Sequence, residues 1–144
     1  MSAVKLRHRS AGLASIAWYN LGNVEAKLGN TASAAEAFRA ALALDPENVY
    51  NRAALAELER LQGRAGVAVA LLEEGLDRLR AAGRSHPGRG QLHYRLGLAY
   101  ADLSRRDEAV NELDLARKLI EDEDTRVAVE RALQAVTDDP RGSR

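Results

Sequence analysis

The chain repeats itself at fixed offsets, and this feature limits the folds open to it more than any other. Gly22, Ala56 and Gly97 are separated by 34 and 41 residues, and the leucine before each keeps the same spacing. Three further sets of positions share both offsets: Ala34, Ala68 and Ala109; Phe38, Leu72 and Leu113; and Ala41, Gly75 and Ala116. Chance alignment of apolar helices gives one or two such matches, but hardly five with side-chain size preserved. The sequence therefore predicts three copies of one unit, with about seven residues inserted between the second and third.

Each unit is predicted to be a helix–turn–helix. Alanine, leucine, arginine and glutamate are abundant, β-branched residues are few, and no stretch alternates with period two. Gly29 and Gly63 are suited to end the first helices of two units, and Gly83 closes the second unit. Asp45 or Asn48 is expected to cap the next helix. The acidic run 121–124 suits a helix N-terminus and introduces one more helix.

The first unit resembles the tetratricopeptide repeat family. The matching residues are Trp18, Leu21, Gly22, Ala34, Phe38 and Pro46, in the signature W-x₂-L-G-x₂-Y…A-x₃-F…P. Glu25 and Glu59 stand at the Tyr position of the first two units, whereas the third has Tyr100 there and His93 at the Trp position. The resemblance covers about 14–121. It implies an all-α, right-handed superhelix of three helix hairpins with a C-terminal capping helix.

The predicted domain organisation follows from these repeats. We expect a flexible N-terminal tail at 1–9, a single domain at 10–137 and a flexible C-terminal tail at 138–144. Inside the domain, the repeats are expected at about 15–48, 49–82 and 90–121, and the capping helix at about 125–136.

Gly22 needs an explanation, because a glycine inside a helix costs roughly 1 kcal/mol relative to alanine. Two antiparallel helices approach to about 8–10 Å, and small residues at their contact permit this. We expect Gly22 and Ala34 to mark that contact, with Phe38 and Trp18 filling the space beside it.

Composition and motifs argue against several function classes. Lys+Arg and Asp+Glu both number 21, and this balance argues against bulk nucleic-acid binding. There is no cysteine, and the three histidines form no metal-binding or catalytic pattern. We therefore expect no catalytic, cofactor or metal site, and no enzyme activity. No apolar run suits a leader peptide or a membrane span, so a cytoplasmic location is expected, and the composition would suit a bacterial source.

The family resemblance also implies a binding surface, because the first helices of tetratricopeptide units line a concave groove. The candidate groove residues are Tyr19, Asn23, Lys27, Tyr50, Glu57, Tyr94, Arg95 and Leu98. The tyrosines could instead pack against neighbouring helices, and this alternative stays open. One subset of the family clamps chaperone C-terminal carboxylates. Only Asn23 and Arg95 fit that clamp, while Tyr19, Ala54 and Gln91 replace its other residues.

The predicted function is that of a non-catalytic adaptor or scaffold binding a protein or peptide. An accessory or regulatory subunit of an enzyme complex and a self-assembling scaffold, hence a homo-oligomer, are the alternatives. A second candidate surface surrounds the inserted loop, where arginines cluster with little acid nearby; they are Arg78, Arg80, Arg84, Arg89 and Arg95. These cations suit either a solvated helix end or an anionic partner.

Overall fold

The computed structural model describes residues 2–83 and 85–143. Across these two ranges the regular structure is entirely helical, which confirms the predicted fold class. The elements are α1 (Ala3–Lys27), α2 (Thr31–Leu44), α3 (Val49–Leu61), α4 (Ala65–Ala81), α5 (Arg89–Asp102), α6 (Arg106–Leu119), α7 (Glu123–Asp138) and a 3₁₀ turn (Pro140–Ser143). Three hairpins, α1–α2, α3–α4 and α5–α6, stack in chain order, and α7 covers α6.

The helix ends follow the local signals of the sequence. Gly29 and Gly63 have φ values of 81° and 82°, the left-handed conformation that ends α1 and α3. Asn48 is the side chain that caps α3, because its Oδ1 accepts a hydrogen bond of 2.9 Å from the Asn51 backbone N–H. Asp122 caps α7 by accepting a bond of 2.7 Å from the Thr125 N–H. The acidic run therefore stabilises a helix start.

The first helix extends further than the sequence pattern indicates. The stretch 1–9 is predicted as a tail, yet α1 is helical from Ala3, and the Ser2 side chain caps it by accepting from the Lys5 N–H. No glycine or proline interrupts the chain before Gly12. The helix therefore extends towards the N-terminus beyond the residues that pack on α2. Side chains 2–10 are exposed. At the other end, α7 runs to Asp138 rather than to about 136.

The inserted segment lengthens the second hairpin. Helix α4 has 17 residues, and Gly83, with a φ of 62°, closes it as predicted. Arg84 lies outside the described residues. Gly88 is buried, and a Cβ there would lie 2.8 Å from Val49, so the loop returns tightly against the start of α3. No helix among the described residues is long and apolar enough to cross a membrane.

The glycine inside α1 lies at the contact between the two helices of the hairpin, as predicted. A Cβ on Gly22 would lie 2.6 Å from the ring of Phe38. Phe38 therefore packs directly on Gly22, as expected, and Ala34 is fully buried in the same cluster. Trp18 does not fill this space and stays 42% exposed.

Candidate binding groove

A cavity of about 390 Å³ lies across the first helices of the three hairpins. Helical spacing of three or four residues points Tyr19 and Asn23 from α1, Tyr50 and Glu57 from α3, and Arg95 from α5 into the same space. The other lining residues are Ala26, Phe38, Ala53, Ala54, Leu58 and Gln91. Small side chains on α3 leave the room between the larger ones on its neighbours.

Three of the predicted groove residues do not line this cavity. Lys27 is exposed near the end of α1. Tyr94 is half-buried and packs against the apolar cluster at the C-terminal end of the fold, which contains Leu113 and Val129. Leu98 is half-buried one turn further along α5. The structure thus separates the tyrosines: Tyr19 and Tyr50 face the cavity, whereas Tyr94 contributes to packing.

The two cavity tyrosines are held differently. The Tyr19 ring lies 5.5 Å from the Phe38 ring, tilted by 55°, and Tyr19 is half-buried. Tyr50 is 46% exposed and has the His86 ring 5.8 Å away. Tyr50 therefore offers the more accessible aromatic surface, and its loss disturbs the core less.

A smaller cavity of about 190 Å³ continues the groove beyond these tyrosines, between α1 and α3. Its polar wall is formed by Ser15 and Asn51, which are both buried. The Asn51 side-chain amide donates to the Ser15 hydroxyl at 2.9 Å, and that hydroxyl donates to the Ala41 carbonyl at 3.0 Å. This network joins the first three helices and fixes the width of the groove at its N-terminal end.

The charges of the groove are paired with one another. Glu57 accepts from Arg60 at 2.8 Å and lies 3.4 Å from Arg95, while Arg60 also donates to Asp102 at 3.0 Å. The hydrogen bond that the Arg60 guanidinium donates to Glu57 holds the pKa of Arg60 above its usual value, so the pair stays ionised. Two cations and two anions balance, and the Arg95 guanidinium also lies 5.2 Å over the Tyr94 ring. The groove is therefore polar but electrically neutral.

Sequence reasoning missed Ala26, Phe38 and Leu58 as cavity residues. Ala26 follows Tyr19 by seven residues and Leu58 follows Tyr50 by eight, so both lie on the same helical faces as the predicted residues. The signal was present, but apolar side chains at those positions also suit a core. Phe38 reaches the cavity from α2 through the gap at Gly22, and no periodicity within one helix indicates that.

The arginines around the inserted loop do not form one basic patch. Arg78 donates to Glu47 and Glu74, Arg80 pairs with Asp77 at 3.0 Å, and Arg95 belongs to the groove. Arg84 lies outside the described residues. Arg89 lines a separate cavity of about 310 Å³ beneath the loop, together with Leu76, Leu79, Arg80, Gly83, Ser85 and His93. The described cations are thus mostly neutralised by nearby carboxylates.

Comparison with known proteins identifies the repeats. The tetratricopeptide repeat family matches residues 15–48 and again residues 90–122. No curated protein matches the chain.

Solved structures match the fold at low sequence identity. The first TPR of Spaghetti (RPAP3), bound to the HSP90 peptide SRMEEVD, has a TM-score of 0.74 and 17% identity, with 88% of this chain and 92% of that chain covered. The Arabidopsis OM64 TPR domain has a TM-score of 0.75 and 17% identity, covering 88% and 97%. The Yersinia enterocolitica type III secretion chaperone SycD, in complex with a peptide of the translocator YopD, has a TM-score of 0.69 and 18% identity, covering 83% and 89%.

The repeat offsets, the three stacked hairpins and these matches agree with one another. Residues 15–48 and 90–122 are therefore tetratricopeptide repeats, and the chain has the fold of a three-repeat tetratricopeptide domain with a capping helix.

Proposed function

We propose that this protein is a non-catalytic interaction module that binds a peptide or helical segment of a partner protein in the groove. The single observation that carries the proposal is the cavity of about 390 Å³ formed jointly by α1, α3 and α5, with Tyr50 exposed on its wall. Two structures of the same fold were solved with peptides of other proteins bound. Tyrosine suits such a surface because it offers large contact area and a hydroxyl for the peptide backbone.

The chemistry of the groove favours an uncharged, partly apolar ligand. Arg95 already faces Glu57, so an acidic peptide would have to compete with that carboxylate. Asn23 can donate to and accept from an extended main chain, and the apolar part of the cavity is provided by Phe38 and Leu58. We expect affinity of the order of micromolar, since a groove of three repeats is short.

The test is binding of a partner captured from the native lysate, followed by measurement with purified proteins. Tyr50→Ala should weaken binding by about 1–2 kcal/mol if Tyr50 is a hot spot, with helical content unchanged. Leu115→Ala is the matched control, because Leu115 is similarly exposed, at 43%, but lies on α6 away from the cavity.

Glu57→Gln tests the chemistry of the ligand separately. This variant releases Arg95 from its carboxylate and should strengthen binding of an acidic peptide such as SRMEEVD relative to the parent protein. A partner that binds Tyr50→Ala and the parent equally, but loses affinity when Arg89 is neutralised, would move the site to the cavity beneath the inserted loop.

An accessory subunit of an enzyme complex would use the same groove, so the capture experiment covers that function too. Self-association is a second candidate, because α1 carries a row of exposed apolar side chains outside the groove.

A further inference from the structure

Helix α1 presents an apolar row that no other described element covers. We define the α1 stripe as Leu6, Leu13, Ala17, Leu21 and Val24 of α1 together with Leu28, the C-cap residue, whose backbone continues the helical conformation. Its leucines and valine are between 43% and 67% exposed. At about 100° of rotation per residue, the six side chains fall within an arc of about 80° and form one continuous face. Exposed apolar surface of this extent marks an interaction site in a folded protein.

The stripe lies opposite the side of α1 that belongs to the fold. Ser15 and Gly22 are the buried residues of α1, and they face α2 and α3. The C-terminal end of the stack differs, since α7 covers the apolar cluster there and turns outward the charged or polar residues Glu130, Arg131 and Gln134. One end of the superhelix is therefore capped and the other carries the stripe.

The order of residues in the stripe is symmetric about its centre. Leu13 and Leu21 lie four residues on either side of Ala17, and Leu6 and Leu28 lie eleven residues on either side. Ser10 and Val24, at seven residues, complete the pattern. A row with this symmetry keeps the same spacing when it is read backwards. Self-complementarity of this kind is what an interface with twofold symmetry requires.

We propose that the α1 stripe is a homodimer interface, in which α1 packs antiparallel against α1 of a second copy with the twofold axis beside Ala17. Leu13 then lies level with the second copy's Leu21, and Leu6 lies level with its Leu28. Alanine at the crossing allows the helix axes to approach to about 8–10 Å. The contact extends over about 34 Å of helix. Two faces of this length bury several hundred Å² per copy, in the range of specific interfaces at roughly 800 Å² per partner.

The charges beside the stripe neither drive nor prevent this arrangement. Along one edge, Arg7 lies near the level of the second copy's Glu25. Along the other edge, Arg9 lies near the level of its Lys27. Exposed pairs of either sign contribute little, and long cationic side chains can turn into solvent. The apolar contacts supply the affinity, so dimerisation should depend only weakly on salt.

The first experiment is sedimentation equilibrium of the full chain. The parent should be dimeric at micromolar concentration, and the double variant Leu13→Glu/Leu21→Glu should raise the dissociation constant by roughly 100-fold or more, because it places charges at the centre of the contact. Leu115→Glu is the matched control, since Leu115 and Leu21 are both 43% exposed and Leu115 lies on α6. This control should remain dimeric, and circular dichroism should show all three proteins equally helical.

The second experiment uses the absence of cysteine from the chain. Under mild oxidation Ala17→Cys should form a covalent dimer, because Ala17 meets its own copy at the axis. Leu6→Cys alone should not, whereas Leu6→Cys/Leu28→Cys should. Three results would overturn the proposal: a parent that is monomeric up to about 100 μM, a dimer that survives the double glutamate variant, or cross-linking of Leu6→Cys alone, which indicates a parallel pair.

Discussion

At the residue scale, Gly22 shows how one side chain is limited by its neighbour across a hairpin. The helix alone would favour alanine by roughly 1 kcal/mol. A Cβ, however, would lie between 2.6 and 2.9 Å from three ring atoms of Phe38, which is itself buried. The sequence leaves open whether Gly22→Ala is neutral or stabilising, but the structure leaves no space for the methyl group. The packing cost, typically about 1–3 kcal/mol, therefore exceeds the gain in propensity.

We expect Gly22→Ala to lower the melting temperature by about 2–6 °C, and Gly22→Leu to lower it further. The second repeat suggests the compensating change, because there Ala56 stands at the glycine position and Leu72 at the phenylalanine position. Gly22→Ala combined with Phe38→Leu should therefore be more stable than the sum of the two single changes predicts. Thermal melts of the four proteins measure this. Strict additivity would show that the ring does not limit residue 22.

At the element scale, a side-chain hydrogen bond at the same place in the fold joins each repeat to the next, but different residue types form it. Glu59 of α3 accepts from Arg39 of α2 at 2.7 Å and also from Arg64, and it is almost fully buried. In the next pair of repeats, Tyr100 of α5 donates to Glu73 of α4, while Arg105 lies 4.7 Å over the tyrosine ring. The corresponding positions are separated by 34 or 41 residues, so these contacts occupy the same place in the fold.

This equivalence predicts that the bond can be exchanged between repeats. Arg39→Glu alone places a second carboxylate beside that of Glu59, and Glu59→Tyr alone leaves Arg39 without its carboxylate. Each change should therefore destabilise the protein by about 1–3 kcal/mol. The double variant recreates the Glu73–Tyr100 arrangement and should regain at least half of the combined loss. Urea unfolding of the three variants and the parent measures the coupling. A double variant no more stable than the additive expectation would reject the equivalence.

Tyr100 also gives the fold a measurable response to alkali. Burial, followed by the hydrogen bond to Glu73, raises the pKa of Tyr100 to about 12. Because the folded protein holds this proton more tightly than the unfolded chain, the contribution of Tyr100 to stability is complete below the usual tyrosine pKa near 10 and is lost as pH rises towards 12. An absorbance titration should show a late step of tyrosine ionisation, and Tyr100→Phe should remove that step. If the Tyr100→Phe protein still showed the late step, that step would belong to another tyrosine.

At the scale of the whole molecule, the sequence predicts what depends on local rules and repeats. Glycine conformations, caps and the three hairpins follow from residue type and spacing. The presence of Tyr19, Asn23, Tyr50, Glu57 and Arg95 in one cavity follows from helical periodicity; their role in binding stays a prediction. The pairing of charges between helices was not predictable, because it depends on distances that only the packed structure fixes.

The sequence pattern likewise does not predict which polar residues are buried. Arg52 stands at the position that Trp18 holds in the first repeat, yet it is 4% exposed and donates to the Pro46 carbonyl at 3.0 Å. Burial lowers the pKa of its guanidinium. Helical periodicity alone predicts a solvent-exposed arginine at this position. The acceptors that satisfy it, the Pro46 and Leu71 carbonyls and the Glu74 carboxylate, come together only in the packed structure.

The C-terminal end of the superhelix depends on α7 to cover its apolar cluster. Val129 of α7 is fully buried against Leu113 and Ile120, so α7 completes the third hairpin as the predicted cap does. Val129→Asp would place an unpaired charge in this cluster. It should detach α7 and lower the melting temperature by roughly 10 °C, since an isolated buried charge costs several kcal/mol.

Glu130→Ala is the matched control, because Glu130 is the next residue of the same helix and is exposed. Both variants are best made in the Leu13→Glu/Leu21→Glu background, so that association through the α1 stripe is absent and any new association reports the C-terminal end. Exposure of Leu113 and Ile120 should then make the Val129→Asp protein self-associate, as exposed apolar patches do, while the Glu130→Ala protein stays monomeric. Equal melting temperatures and equal masses for the two would show that α7 does not cap the third hairpin.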